Sequence, residues 1–179
     1  MYKFVQAKHY RKGRIKPIQL IVIHSMEAPE KGETAENVAN YFSNATVEAS
    51  AHLCVDNNSI IQCVRFDDTA FHCKNANANG IGIEHAGYAK QTTAEWLDDY
   101  GKKMLELSAK AAADLCKQFS IPIQKAQFLS KDNPTVVSPG LCGHAEVPQH
   151  GSHTDPGKFF PWTYYLGLIK YYFDQIQTK

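Results

Sequence analysis

The sequence lacks several features that would assign it to a specialised class of protein. No run of about 18 apolar residues occurs, so we expect no membrane-spanning helix. The first residues, MYKFVQAKHYRKGR, contain no apolar core of the kind that a secretory signal peptide needs. Internal repeats and low-complexity segments are also missing. These absences exclude a fibre or a disordered tail and predict a protein synthesised in the cytoplasm.

An excess of one charge is lacking as well. The chain carries 19 basic and 18 acidic residues, for a formal net charge of +1. This balance argues against a dedicated nucleic-acid binder, which usually has a strongly basic domain. The basic residues are nevertheless concentrated in residues 1–19, where no acidic residue occurs. Such an arm can attract an anionic surface, but we favour a solvated segment leading into the first strand.

Cysteine is present in an odd number, five, and none of the spacings is C-x-x-C. Without an export signal, we predict reduced cysteines that pack in the core rather than a disulfide framework. The alternative is a protein that works outside the cytoplasm, where a pair of these thiols can oxidise.

The 179 residues, of which 44% are hydrophobic and 21% charged, predict about one globular domain. Ile18–His24 is a β-branched apolar run typical of a buried strand. Short strands at 51–55, 59–64 and 81–84 alternate with helical patterns, the first of which begins at a Thr34 cap. Further helices are predicted over 94–119 and 161–176, with a loop over 131–158. The expected fold is α/β, a single domain with a mixed central β-sheet flanked by helices.

The placement of the eight histidines is the most informative feature. His24 ends the best-defined strand, where α/β folds collect ligands. His144 and Asp155 lie in CGHAEVPQHGSHTDPG, a late segment that holds three histidines and an aspartate. Imidazole and carboxylate groups suit zinc, and three protein ligands leave a position open for catalysis. The residues alone thus predict a candidate hydrolytic zinc site, with packed histidines and a solvated loop as the alternative.

Five ordered segments carry a family resemblance: LIVIHSMEAP, TAENVANYF, ASAHLCVDNNSIIQCV, GIGIEHAG and GHAEVPQHGSHTDPG. They resemble the type 2 N-acetylmuramoyl-L-alanine amidases, a family that includes phage endolysins, AmpD-like enzymes and peptidoglycan recognition proteins. The likeness covers about residues 18–170. It implies a single amidase domain over 1–179, with a basic arm at 1–17, and it implies His24, His144 and Asp155 as the ligands of Zn²⁺.

The resemblance also implies a reaction, the hydrolysis of the amide between N-acetylmuramic acid and L-alanine of the peptidoglycan stem peptide. Glu84, at the end of the GIGIE segment, matches the general base of AmpD-like members. His153 occupies the place of a lysine that stabilises the oxyanion in many members. Phage members can use a tyrosine just before His52, but that position is Ala51 here, so Glu84 is the sole base candidate.

Other residues receive weaker predictions. His72, Asn79 and His52 are candidate substrate-binding residues, although His72 also suits a structural role. His52 and His85 are alternatively packed histidines or partners that orient the zinc ligands. Cys142, two residues before His144, is disfavoured as a nucleophile because it has no separate histidine base. We expect His9 and His150 on the surface.

Two other functions remain open at this point. One is a peptidoglycan-binding module without catalysis, and the other is an enzyme acting on soluble anhydromuropeptides in the cytoplasm. For the leading hypothesis, we expect a monomer whose partner is peptidoglycan or a muropeptide, with no nucleic acid and no membrane span. It would reach the cell wall through a holin, as an endolysin does, or through a secretion system. A secreted antibacterial effector would also need an immunity protein.

Overall fold

The architecture is a mixed six-stranded sheet covered by helices, as the sequence predicted. The computed structural model describes residues 2–148 and 151–177. The sheet order is β1-β5-β4-β7-β3-β10, and only β4 and β5 pair antiparallel within it. Its strands are β1 (Lys3–Phe4), β3 (Leu20–Ser25), β4 (Leu53–Val55), β5 (Ile60–Gln62), β7 (Gly80–His85) and β10 (Gly140–Gly143). Two small antiparallel pairs add β2 (Tyr10–Arg11) with β6 (Thr69–Ala70), and β8 (Gln127–Ser130) with β9 (Asn133–Ser138).

The helices form layers on both faces of this sheet. They are α1 (Thr34–Phe42), α2 (Thr93–Trp96), α3 (Asp99–Phe119) and α4 (Trp162–Gln177). The larger core lies between one sheet face and α3 with α4, and it includes Ile21, Ile23 and Ile83. The other face packs against α1 and the loops around the site. Because side chains alternate along a strand, the two cores take alternate residues of β3.

Three details of the predicted secondary structure were wrong. The helix expected over 94–119 is two helices, because Asp98 caps a new one by accepting a hydrogen bond from the Gly101 N–H at 2.8 Å. Thr34 does not cap α1; its hydroxyl donates to Pro29, and the buried Asp56 accepts from the Ala35 N–H. The loop expected over 131–158 instead contains β9 and β10.

Most side chains of the amino-terminal arm are exposed, as the favoured interpretation expected, but its backbone pairs with the domain, which that interpretation did not include. β1 pairs parallel to β5, and β2 pairs antiparallel to β6. The guanidinium of Arg14 is partly buried and donates to the carbonyls of Phe66 at 2.7 Å and Gly80 at 3.1 Å. The arm is therefore part of the folded unit, held by backbone pairing and by the partly buried guanidinium of Arg14.

All five cysteines are buried thiols outside any disulfide, as predicted for reduced core residues. Cys54 and Cys63 come nearest to each other, with 3.8 Å between their sulfurs, but they are diagonal rather than opposite on β4 and the end of β5. Diagonal positions place the Cα atoms about 7–8 Å apart, too far for an unstrained disulfide. Burial raises the pKa of Cys142 well above its ordinary value, which keeps that thiol protonated and unsuited to nucleophilic attack.

Within the described part of the chain, no helix combines the length and apolar character needed to cross a bilayer.

Candidate active site

The site forms where three neighbouring parallel strands end. Strand β3 lies between β7 and β10, and His24 of β3 is in register with Glu84 of β7. Gly143 of β10 is in register with Ile23, so His144 emerges beside His24. Adjacent strands are about 4.8 Å apart, so these side chains start within reach of one another. His24 is the penultimate residue of β3, so it lies at the carboxyl end of the strand, as expected.

A carboxylate completes the cluster from the loop that follows. Asp155 Oδ2 lies 2.9 Å from Nδ1 of His24 and 3.1 Å from Nδ1 of His144. The three candidate ligand atoms all lie within 4.8 Å of one another. Both histidines are buried, and Asp155 is partly buried. The structure thus brings together the three residues that the sequence singled out as zinc ligands.

The geometry of this triad suits a tetrahedral metal ion. Zinc bonds of about 2.0–2.2 Å place neighbouring ligand atoms about 3.3 Å apart, a few tenths of an ångström more than the distances here. Although burial opposes ionisation of Asp155, the hydrogen bonds from His144 and His24 lower the pKa of its carboxyl well below its ordinary value. Burial lowers the pKa of His24, which favours the neutral ring that metal ligation requires. The donor set therefore fits Zn²⁺.

Asp155 is held in place by the packing of its own loop. Its carbonyl accepts a hydrogen bond from the Ala145 N–H at 2.9 Å, and the Asp155–Pro156 peptide is cis. Gly157 has a φ of +98°, and a Cβ there would overlap the carbonyl oxygen of Ala89. Only glycine satisfies both conditions, so Gly157 fixes the loop against the segment that follows β7.

Glu84 lies next to the triad on the same face of the sheet. Its Oε2 is buried and has no hydrogen-bond partner among the described residues. Burial, and secondarily the charge of Asp155, raise the pKa of the Glu84 carboxyl well above its ordinary value. A raised pKa makes a carboxylate a stronger proton acceptor, and a nearby cation would offset the repulsion from Asp155.

His153 lies at the open side of the triad. Its ring stacks on that of His144 with centroids 3.9 Å apart, and 42% of its side chain is exposed. Desolvation, then the neighbouring His144, lowers the pKa of His153. The ring is therefore placed to donate an N–H bond from the neutral form rather than to act as a permanent cation.

Two of the predicted substrate-binding residues are not at the site. Asn79 precedes the first residue of β7, about 16 Å of strand away from Glu84, and its amide donates to Gln19. His52 is fully buried, with Nδ1 accepting from the Gly82 N–H at 3.0 Å and Nε2 lying 2.7 Å from Nη2 of Arg14. Packing thus explains both residues. The predicted surface residue His150 lies outside the described residues.

Two further histidines, His72 and His85, contact the candidate metal ligand His24. Nδ1 of His72 lies 3.1 Å from Nε2 of His24, on the side of the ring away from Asp155. Nδ1 of His85 lies 3.2 Å from the His24 carbonyl, to which it donates, and its Nε2 lies 2.7 Å from the Ser108 hydroxyl. Ser108 in turn pairs with the hydroxyl of Tyr165 at 2.6 Å. This series of hydrogen bonds crosses the core from β3 to α4. Sequence spacing could not predict it, because its members are far apart in the sequence.

A cavity of about 640 Å³ opens beside the triad. Asp155 and His153 are both part of its lining, so the cavity adjoins the His/His/Asp cluster. Trp162 provides an apolar surface. The ammonium of Lys125 lies over the Trp162 ring, 3.1 Å from the ring centre. Lys90 and Lys158 bring two further positive charges to the rim. The acidic residues Glu146 and Asp155 also line the cavity, and Glu146 forms an ion pair with Lys125, so the cavity is suited to a ligand with apolar and charged parts.

The fold and site together define an α/β protein with a His/His/Asp cluster suited to a divalent metal. The family model described as N-acetylmuramoyl-L-alanine amidase matches residues 14–158, and the chain belongs to this family.

Individual relatives agree with this membership. N-acetylmuramoyl-L-alanine amidase A of Achromobacter lyticus is 29% identical over 154 residues, which are 83% of this chain and 81% of that protein. The 1,6-anhydro-N-acetylmuramyl-L-alanine amidase AmpD of Haemophilus influenzae is 25% identical over 189 residues, with 93% and 91% covered. The solved structure of the Staphylococcus aureus hydrolase AmiA in complex with its ligand has a TM-score of 0.74 at 15% identity, over 98% of this chain and 84% of that one.

The buried histidines predict acid sensitivity of the metal-free protein. Desolvation lowers the pKa of His52 to about 3 and that of His85 to about 4. The unfolded chain binds these protons near pH 6.5, so the free energy of unfolding falls as the pH drops below that value. Each group contributes a slope of up to about 1.4 kcal/mol per pH unit until its folded pKa is reached.

The measurement is urea unfolding in the presence of a chelator at pH 7, 6 and 5. In the control His52→Asn, an amide oxygen can still accept the Gly82 N–H bond but does not titrate, so the slope becomes smaller. A free energy of unfolding that stays constant from pH 7 to pH 5 would contradict this account.

Proposed function

We propose that this protein is a zinc-dependent N-acetylmuramoyl-L-alanine amidase that hydrolyses the amide between N-acetylmuramic acid and L-alanine in peptidoglycan. Family membership supports the reaction class. The observation that carries the proposal is the convergence of His24, His144 and Asp155 beside a buried, unpartnered Glu84 oxygen. A muropeptide-binding module would need the cavity but not this combination of a ligand set with a proton acceptor.

His24, His144 and Asp155 would hold the zinc ion. When bound, zinc supplies a Lewis acid that polarises the scissile carbonyl and lowers the pKa of a water molecule. Glu84 accepts the proton from the attacking water and passes it to the departing amine, for which its raised pKa is suited. His153 donates a hydrogen bond to the oxyanion, in the role that a lysine has in many family members.

The cavity beside the triad would orient the substrate. Stem peptides carry free carboxylates, and Lys90 and Lys158 at the rim offer them positive charge. The Trp162 ring beside them provides apolar contact area. Binding energy from these parts of the substrate positions the amide against the catalytic groups.

Product analysis tests the function directly. The purified protein, incubated with intact peptidoglycan, is expected to release stem peptides with a free L-alanine amine, which mass spectrometry identifies. EDTA abolishes the release, added Zn²⁺ restores it, and His24→Ala removes it because a ligand is lost. Release that persists in EDTA, or cleavage at a glycosidic bond, would refute the proposal.

The similarity to AmpD favours one second candidate, an amidase for soluble anhydromuropeptides. The same assay distinguishes the two when intact sacculi and soluble anhydromuropeptides are offered at equal stem-peptide concentration. Preference for sacculi supports a wall-degrading enzyme, and strong preference for the soluble fragment supports the second candidate.

Replacing Glu84 separates proton transfer from metal binding. Glu84→Gln keeps the shape of the side chain but cannot accept a proton, so we expect kcat to fall by roughly 10²–10⁴-fold. Zinc content should remain that of the wild type, because Glu84 is not among the three candidate ligands. The measurement is kcat together with metal analysis. A Gln variant with wild-type kcat would exclude Glu84 as the base.

His153 is tested with a pair of substitutions. His153→Ala removes the proposed oxyanion donor and should lower kcat by roughly 10²–10³-fold, with less effect on KM. His153→Lys restores a donor at the same position and should recover most of that loss. Steady-state kinetics at pH 7 measures both. Equal activity of the Ala variant and the wild type would show that the oxyanion is stabilised elsewhere.

A further inference from the structure

His24 uses both of its ring nitrogens, and they face different partners. Nδ1 lies 2.9 Å from Asp155 Oδ2, and Nε2 lies 3.1 Å from Nδ1 of His72. The planes of the two imidazoles are perpendicular, with centroids 5.2 Å apart. The far nitrogen of a metal-ligating histidine usually donates to a carboxylate, a carbonyl or water. Here a second histidine takes that place.

The packing shows that this contact is built into the fold. The His72 ring lies flat against β7, at a stretch where the strand has glycines at positions 80 and 82. A Cβ on Gly82 would lie 2.6 Å from Cγ of His72, and one on Gly80 would lie 3.4 Å from its Cε1. The backbone N–H groups of His72 and Cys73 both donate to the side chain of Asn77, which fixes the turn that presents the ring.

The position of the protons follows from counting them. The hydrogen bond between Nε2 of His24 and Nδ1 of His72 holds a single proton, so one of these two nitrogens is an acceptor, and a neutral imidazole carries one N–H. Without metal, Nδ1–H of His24 donates to Asp155, and Nε2 of His24 accepts from Nδ1–H of His72. With a metal on Nδ1 of His24, the His24 proton must be on Nε2. It then points at Nδ1 of His72, which can accept it only if the His72 proton is on Nε2.

We propose that His72 is a positioning residue for the metal ligand His24, and that metal binding moves the proton of both rings from Nδ1 to Nε2. The total number of protons on the pair is unchanged. The accepting nitrogen of His72 fixes the His24 ring and selects the tautomer that presents the Nδ1 lone pair to the ion. This inference rests on the proposed zinc site.

Nuclear magnetic resonance of ¹⁵N-histidine-labelled protein tests the tautomers without substrate. Long-range ¹H–¹⁵N spectra distinguish protonated from unprotonated ring nitrogens, and His24→Gln and His72→Asn assign the signals. In chelator, we expect Nδ1–H on both rings. With one equivalent of Zn²⁺, we expect Nε2–H on both. A zinc-bound state in which Nδ1 of His72 keeps its proton would overturn the proposal.

Metal affinity provides an independent measurement, by competition with a chromophoric chelator. His72→Leu removes the acceptor and should weaken zinc binding by about 10–100-fold. His72→Asn places an amide oxygen near the position of Nδ1 and should bind within about threefold of the wild type. Gly82→Ala keeps His72 but displaces its ring, and should also weaken binding. His9→Leu, a change far from the site, serves as the matched control.

The outcomes separate this inference from the proposed function. A protein that binds zinc with these affinity differences but releases no stem peptide would refute the function alone. Wild-type affinity in both His72→Leu and Gly82→Ala would refute the role of His72, whatever the activity. Circular dichroism of each metal-free variant establishes that it is folded. If His72→Leu does not fold, His72→Asn, Gly82→Ala and the tautomer spectra still decide the question.

Discussion

The register between β3 and its two parallel neighbours is the constraint on which the site depends. It places His24 beside Glu84 and lets His144 emerge beside His24. A shift of β7 by one residue would turn Glu84 into the apolar core and expose Ile83 on the site face, at a large cost in buried apolar area. The same hydrophobic burial that fixes the sheet therefore fixes the spacing of the chemical groups.

The sequence predicted those residues of the site that short stretches of sequence identify. Ile18–His24 is a long enough apolar run to identify a buried strand, and its end marks His24 as a candidate ligand. The resemblance to known amidases then implied His144, Asp155 and Glu84, which the structure brings to one place. Strand β10 was not predicted, because its four residues begin and end with glycine, show no clear period and depend on pairing with β3.

The errors share a physical cause, which is that side-chain partners distant in sequence decide what a polar residue does. Asn79 lies at the opposite end of β7 from Glu84, where its amide donates to Gln19. His52 is buried among partners from other segments: its Nδ1 accepts from the Gly82 N–H, so its Nε2–H donates to the Asp68 carbonyl at 3.3 Å. The guanidinium of Arg14 lies 2.7 Å from the same Nε2. Arg14 comes from the arm that its charge alone predicted to be solvated. Gly82, which lies inside the predicted strand at 81–84, leaves room for the His72 ring, because a Cβ there would lie 2.6 Å from Cγ of His72.

The fold also stabilises a costly arrangement in the site itself. Burial lowers the pKa of the imidazoles at positions 24, 52, 72 and 85, and Glu84 has a buried oxygen without a partner in the described part of the chain. Buried polar groups of this kind lower the free energy of unfolding of the metal-free protein. They persist because the packing of the sheet and of the loop at Asp155 fixes their positions. Of the three candidate ligands, His24 belongs to β3 and His144 directly follows β10, whereas Asp155 belongs to a loop that packs on Ala145 and Ala89. An ion shared by these elements would connect the loop to the sheet, so metal binding and the order of the loop must stabilise each other.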